Sequence, residues 1–254
     1  MDRNVVIKGP DCKLKALYYK SKNLKAPVAV ILHPELPDDM ESLPPLVESV
    51  INLLVEKGFS VLFYNFKRHN NIIGNAVEKK CLEIDEVVHV LHWVEEKSSY
   101  RNSLWLMSFD SCVWTCLQIV MRRPEVTDYV LFSPTKKLKE LNFIVPCTSK
   151  GLVIYETSRP NSVNDIIDKI NKNSSAISSI PMNFVDLNKN EHKKIVIEEL
   201  ERYIEESFDN IKAPKVGVKR ERRRRKRKKQ IVENVENIVI DDKVAAIKPL
   251  DLDF

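Results

Sequence analysis

Two short runs, Pro27–His33 (PVAVILH) and Ser60–Phe66 (SVLFYNF), constrain this chain more than any other feature. Each is apolar over most of its length, without the polar alternation of a strand that is wet on one side. Each therefore belongs inside a sheet covered on both faces. Between them, Ser42–Lys57 places apolar residues at 43, 46, 47, 50, 51, 54 and 55, which is helical spacing, and Gly58 closes it. Covered strand, helix, covered strand is the repeating unit of a parallel α/β sheet.

The same alternation runs on through the chain. Val77–Glu96 is helical through Leu82, Ile84, Val87, Val88, Leu91 and Val94, and Leu104–Ser108 is a strand. Cys112–Arg122 forms a helix stopped by Pro124, with strands at Tyr129–Ser133 and Leu152–Tyr155. A polar helix near Val163–Asn173, a strand near Met182–Val185 and an amphipathic helix from Glu191 to Ser207 complete the body. Before all of these, Val5–Lys8 and Leu14–Lys20 flank Gly9-Pro10-Asp11, which predicts a β-hairpin. The expected fold is α/β: a mostly parallel, doubly wound sheet over residues 1–210, followed by a tail, residues 211–254.

Charge separates these two parts. Residues 213–254 hold 13 Lys/Arg against 7 Asp/Glu, a net of +6, while the other 212 residues hold 28 against 29, a net of −1. The overall +5 describes neither part. No run of about 18 apolar residues is present, so no transmembrane helix is expected. The opening MDRNVVIKGPD lacks a basic-then-apolar signal, so a cytoplasmic protein is expected. Five cysteines, at 12, 81, 112, 116 and 147, form no CxxC pair, which fits reduced thiols better than disulfides or zinc. His89 and His92 lie at i, i+3 on a helix, but a metal site needs a third ligand that the pattern does not supply. With only five glycines and no Walker A or GxGxxG phrase, no phosphate-cradling loop and no cofactor is expected.

In a parallel sheet, ligands bind at the carboxyl ends of the strands. The informative loop there is within LWLMSFDSCVW, residues 104–114, a strand turning directly into a helix. It resembles the nucleophile elbow of the α/β-hydrolase superfamily. The text around it is similar to a bacterial serine-hydrolase-like subgroup of that superfamily. The matching phrases are PVAVILHPE, LVEKGFSVLFYNF, LHWVEE, SLWLMSFDSCVW and MRRPEVTDYVLFSP, and the resemblance covers residues 5–205. It implies the fold and a hydrolytic ancestry.

The machinery that such a resemblance implies is not matched. Where relatives read Gly-x-Ser-x-Gly, this chain has Ser108 at the first Gly, Asp110 at the nucleophile and Cys112 at the second Gly. Those glycines serve a strained turn and close helix packing, so their loss predicts an elbow that is relaxed or held by compensation elsewhere. The glycine-rich loop after SVLFYNF is here Phe66-Lys67-Arg68-His69-Asn70, with Gly74 kept at its far end. The acid loop reads Glu156-Thr157-Ser158-Arg159, and Leu187 follows Asp186 where the resemblance implies the catalytic His. His192 lies five residues beyond, at a helix start.

Asp110 has two readings. It is the nucleophile, as in the dehalogenase and epoxide-hydrolase branches of the superfamily, forming an ester intermediate that a His-activated water must then hydrolyse. Or it caps the helix that begins at Ser111. His33, Pro34, Glu35 and Ser111 mark where the resemblance implies an oxyanion pocket.

The tail carries a different chemistry. Lys219, Arg220, Arg222, Arg223, Arg224, Arg225, Lys226, Arg227, Lys228 and Lys229 make ten basic groups in an eleven-residue run interrupted by Glu221. Such a block repels itself, is expected to be disordered, and attracts polyanions, RNA or DNA above all. No aromatic residue interleaves it, so binding by stacking is not expected. The run also resembles a nuclear-import signal, which matters for a bacterial protein delivered to a host. Leu250-Asp251-Leu252-Asp253-Phe254 resembles a short docking motif for a protein partner. The sequence as a whole predicts a hydrolase-like scaffold that has lost its machinery and binds through its tail; the alternative is an active ester hydrolase using Asp110.

Overall fold

The computed structural model describes residues 2–10, 13–23, 25–34, 43–66, 76–98, 103–133, 147–156, 168, 177–182 and 190–212. The chain divides into a unit of Met1–Ile204 and a second of Glu205–Phe254. In the second, residues 205–212 are described and are helical.

The first unit is built on one eight-stranded sheet in the order β1-β2-β4-β3-β5-β6-β7-β8. β1 (Asp2–Lys8) and β2 (Lys13–Tyr19) form the antiparallel hairpin, and β2 joins β4 (Ser60–Asn65) antiparallel. From β4 onward every pairing is parallel. It runs through β3 (Val28–His33), β5 (Leu104–Phe109), β6 (Val126–Phe132), β7 (Lys150–Glu156) and β8 (Ile177–Met182). The central strands β3, β4 and β5 are buried at nearly every position, as continuous apolar runs require.

Alternation along each strand feeds two apolar faces. One, with Val30, Leu62, Tyr64 and Leu106, packs on α2 (Ala76–Lys97) and α3 (Val113–Val120) through Val87, Leu91, Cys116 and Leu117. On the other, Trp105 is fully buried between Phe59 and Tyr203, with ring centroids 5.3 and 5.5 Å away. Tyr203 comes from α4 (Asn190–Lys212), and Glu201, two residues before it, pairs with Lys57 at 2.6 Å, just past α1 (Pro45–Glu56). Three buried polar groups, one or more on each side, are bonded. Tyr64 Oη donates to Glu86 at 2.5 Å, Tyr203 Oη to Asp128 at 3.2 Å and Trp105 Nε1 to Ser103 Oγ at 2.7 Å. An unmade bond at any of these sites costs about 1–3 kcal/mol.

α1 shows why local sequence suffices for its ends. Pro45 sits in its first turn, where a missing N–H costs nothing. Gly58 follows its last turn at φ +87°, and Gly58 N and Phe59 N donate back to Val55 O and Leu54 O at 3.0 and 2.9 Å. This is the left-handed glycine cap that satisfies otherwise open carbonyls.

Three expectations need correction. Among the described residues the last strand is Ile177–Met182, ending where the expected Met182–Val185 begins, with 183–185 outside the described residues; it is an edge strand with Pro181 inside it, a residue tolerated only where a ladder N–H is dispensable. The helix after β5 is not continuous from Cys112: a 3-10 turn, Asp110–Cys112, precedes α3, which ends at Val120. The last helix runs past Ser207 to Lys212. The helix expected at Val163–Asn173 lies outside the described residues apart from the helical Asp168, and so do the tail and the Leu250–Phe254 segment.

Candidate functional site

Register brings the carboxyl ends of three neighbouring strands level. Leu32 pairs with Ser108 and Phe109 with Phe132, so His33, Phe109 and Phe132 end β3, β5 and β6 side by side. Their rings form a row: Phe63 to His33 is 6.1 Å, His33 to Phe109 is 5.5 Å, and Phe109 stacks on Phe132 at 4.4 Å with planes 8° apart. These rings make an apolar floor under the strand ends, buried except for the half-exposed edge of His33.

Above that floor the backbone turns sharply. Asp110 has φ +47° and Ser133 has φ +48°. A non-glycine residue in this left-handed region costs roughly 1–2 kcal/mol, and it persists where the surroundings leave no alternative. The elbow is thus retained without either of its expected glycines. Ser108 and Cys112, which stand in their places, are both buried. Cys116 Sγ donates to Leu106 O at 3.9 Å, and burial pushes its pKa up to about 12, so it is an inert packing group.

The capping reading of Asp110 does not hold. Phe109 occupies the cap position of the 3-10 turn and Cys112 that of α3, and neither helix start has a side-chain cap bond. Asp110 lies inside the turn at a left-handed φ, and the residue is exposed. His33 lies within reach of its charge. Burial lowers the imidazole's pKa below its usual value, while the Pro34 carbonyl and the Asp110 charge push the other way. His33 Nδ1 is buried without a hydrogen-bond partner among the described residues. A buried imidazole in that position rests neutral.

Of the other predicted site residues, Pro34 and Ser111 are half-buried beside this turn, and Glu35 lies outside the described residues. Among the described residues no hydrogen bond joins Asp110 to a histidine. His192 is half-buried on the first turn of α4. His89 Nδ1–H donates to Asp85 O of its own helix at 2.9 Å, and His92 lies 3.4 Å from Arg123 Nη1. No group of three His, Cys, Asp or Glu side chains gathers among the described residues in a way that suits a metal. All ten predicted polyanion-binding residues, Lys219 to Lys229, lie outside them too. Sequence reasoning ended a strand at Ser133 but missed its left-handed backbone, and it missed the aromatic row. The row's only trace in the sequence was an aromatic at or near the end of each central strand, in FYNF, LMSF and YVLFS.

Solved structures share this fold. A protein of unknown function from Agrobacterium tumefaciens, described provisionally as an α/β hydrolase, superposes with a TM-score of 0.66 at 24% identity, covering 82% of this chain and 97% of that one. The chain has the α/β-hydrolase fold. An α/β serine hydrolase homologue from Coxiella burnetii matches at 0.63 and 19% identity, covering 79% and 96%. An α/β serine hydrolase without a lid from Xanthomonas campestris matches at 0.61 and 15%, covering 81% and 94%. In sequence, the chain is 26% identical over 195 residues to an uncharacterized protein of Rickettsia prowazekii, covering 74% of this chain and 80% of that protein. No family model matches it. No described helix is long and apolar enough to cross a membrane.

Proposed function

We propose that this α/β-hydrolase-fold chain works by binding and not by hydrolysis, with a body that presents the carboxyl-end crevice and a tail that binds nucleic acid. The observation that carries the first half is the elbow itself. Its tip holds an exposed carboxylate, and no imidazole is hydrogen-bonded to it among the described residues. A carboxylate nucleophile without a water-activating base stops at the ester. The fold speaks for ancestry, and activity belongs to the site.

Support for the second half is the charge of Lys219–Lys229. Neutralising phosphates with Lys and Arg releases counterions, so affinity falls steeply with salt and depends little on sequence. The test is retention of the full-length chain on RNA and on duplex DNA at about 50 and 200 mM salt, beside a variant with all ten basic residues changed to Gln. If each protein neutralises several phosphates, retention drops by orders of magnitude over that range and the Gln variant loses it. Equal retention of the two proteins would sink the nucleic-acid reading.

One observation favours the rival, hydrolytic reading: the left-handed backbone at Asp110 is the conformation that presents a nucleophile. Saturable turnover of short activated esters that disappears in Asp110→Asn would establish it and displace the binding reading.

A further inference from the structure

We propose that the N-terminal hairpin is a second nucleic-acid contact, on the body itself, in which Lys8, Lys13 and Lys15 seat the phosphate backbone on one face of β1 and β2. The class of partner rests on the nucleic-acid reading of the tail; the surface is a new one.

The body's net charge of −1 hides a further segregation. Residues 1–34 hold seven Lys/Arg against two Asp/Glu, a net of +5, while residues 35–212 hold 21 against 27, a net of −6. Lys8, Lys13, Lys15, Lys20, Lys22 and Lys25 are all exposed. Among the described residues none of the six is ion-paired, whereas Lys57, Arg123, Lys194 and Arg202 elsewhere in the body each pair with a glutamate.

Register gathers three of these lysines. Lys8 stands directly opposite Lys13, and Val6 directly opposite Lys15. Their neighbours Ile7, Leu14 and Ala16 are buried in the core beside α2, so the alternation of a strand sends Lys8, Lys13, Lys15 and Val6 to the other face of the hairpin. Directly opposite residues have Cβ atoms about 4.5–5.5 Å apart and diagonal ones about 7–8 Å, so the three lysine stems rise from a patch about 8 Å across. Val6 shares that patch and is 60% exposed. Like charges directly opposite one another weaken a hairpin, and Asp11 in the turn brings a single negative charge against three positive ones.

A phosphate chain relieves that repulsion and gains from the counterions it releases. Lysine meets phosphate as a point charge and reads no base, so this contact positions the nucleic acid without selecting its sequence. An anionic bilayer calls for apolar side chains that insert beside the charges, and Val6 is the one large apolar residue exposed on this face among the described residues. The patch therefore suits nucleic acid better than a membrane.

Fluorescence anisotropy of the full-length chain with a labelled DNA duplex, read between about 50 and 200 mM salt, tests this. The hairpin variant carries Lys8→Gln, Lys13→Gln and Lys15→Gln. A control carries Lys97→Gln, Lys193→Gln and Lys194→Gln, which removes the same three charges from α2 and α4. Val6→Glu places an acid in the patch at an exposed position. Each phosphate contact contributes about 0.9 to the slope of log affinity against log salt, so the hairpin variant should have a slope shallower by about 2.7. Across that fourfold range of salt the native chain then loses roughly 40-fold more affinity than the hairpin variant does. Val6→Glu should weaken binding at the lower salt, and the helix control should keep the native slope. A hairpin variant with the native slope, or one that changes no more than the helix control, overturns the inference. So does a hairpin variant that keeps the DNA slope and loses binding to phosphatidylserine vesicles, which assigns the patch to membranes. An unchanged slope in the variant with ten tail residues changed to Gln removes the tail reading and leaves the hairpin judged by its own slope, so the two failures are told apart.

Discussion

Gly151 is where a single methyl group should do most damage. It sits in β7 opposite Tyr129 of β6, and Tyr129 is fully buried. A Cβ built on Gly151 would lie 2.6 Å from Tyr129 Cε2 and closer still to Cζ and Oη. Carbon atoms in a packed interior sit about 3.5–4.0 Å apart, so the overlap is on the order of 1 Å or more over three ring atoms. Tyr129 has no solvent to swing into, and its ring or the two strands must move. Overpacking of this kind costs about 1–3 kcal/mol, and full burial of the ring puts Gly151→Ala at the upper end. In a body of this size a loss of about 3 kcal/mol lowers Tm by roughly 6–12 °C. Urea unfolding followed by far-UV circular dichroism gives the free energy, and an unchanged slope shows that the cost lies in the folded state. Tyr129→Leu supplies the control. It removes the clashing atoms, so adding Gly151→Ala to it should cost little, with a coupling of about 2 kcal/mol between the two sites. Strict additivity, or a Gly151→Ala protein within about 0.5 kcal/mol of the native one, would refute the packing argument.

Two other outcomes follow from the groups around the elbow. His33 has a folded pKa below the ordinary 6.5, so between that folded value and 6.5 the unfolded chain binds more protons than the folded one. Its contribution is complete above about pH 6.5 and is lost as the pH falls from there through the folded pKa; His33→Gln should flatten that part of a urea-stability profile, and an unchanged profile would contradict it. Thiol labelling separates the cysteines: Cys81 is exposed and should react in the native protein at pH 8, whereas Cys116, with its pKa near 12, should react only on unfolding. Peptide mapping after brief labelling reads both, and early modification of Cys116 would show that the core behind the elbow opens.

The fold was legible where burial is two-sided. PVAVILH, SVLFYNF and LWLMS are apolar without alternation because helices cover both faces of β3, β4 and β5, and no other secondary structure explains runs so short. The helix at Pro45–Glu56 was legible because a proline and a glycine mark its ends. The edge was not legible: ISSIPM has a weak apolar signal and a proline, and what makes it a strand is pairing with β7, a contact between distant segments. The order in which β4 sits between β2 and β3 is likewise a tertiary outcome with no local trace.

At the site, sequence placed Asp110 at the elbow tip and left its turn either relaxed or held by compensation elsewhere; φ +47° shows the turn held, on Asp, a residue that tolerates left-handed backbone better than most. His33 and Ser133 were both legible as strand ends, but the left-handed φ of Ser133 and its place beside Asp110 do not follow from YVLFSP.

The most direct measurement of the central claim is the intact mass of the full-length chain after incubation with a short activated ester and, separately, with a primary alkyl halide. A nucleophilic Asp110 without a base would displace halide from the alkyl halide and stay alkylated as an ester, because no second step clears it; attack on the activated ester would give an anhydride that water clears unaided, so that incubation is read by the leaving group released. The binding account predicts an unmodified mass at Asp110 in both incubations and leaving-group release no greater than that of Asp110→Asn. A stoichiometric adduct on the native chain, mapped to Asp110 and absent from Asp110→Asn, would contradict it.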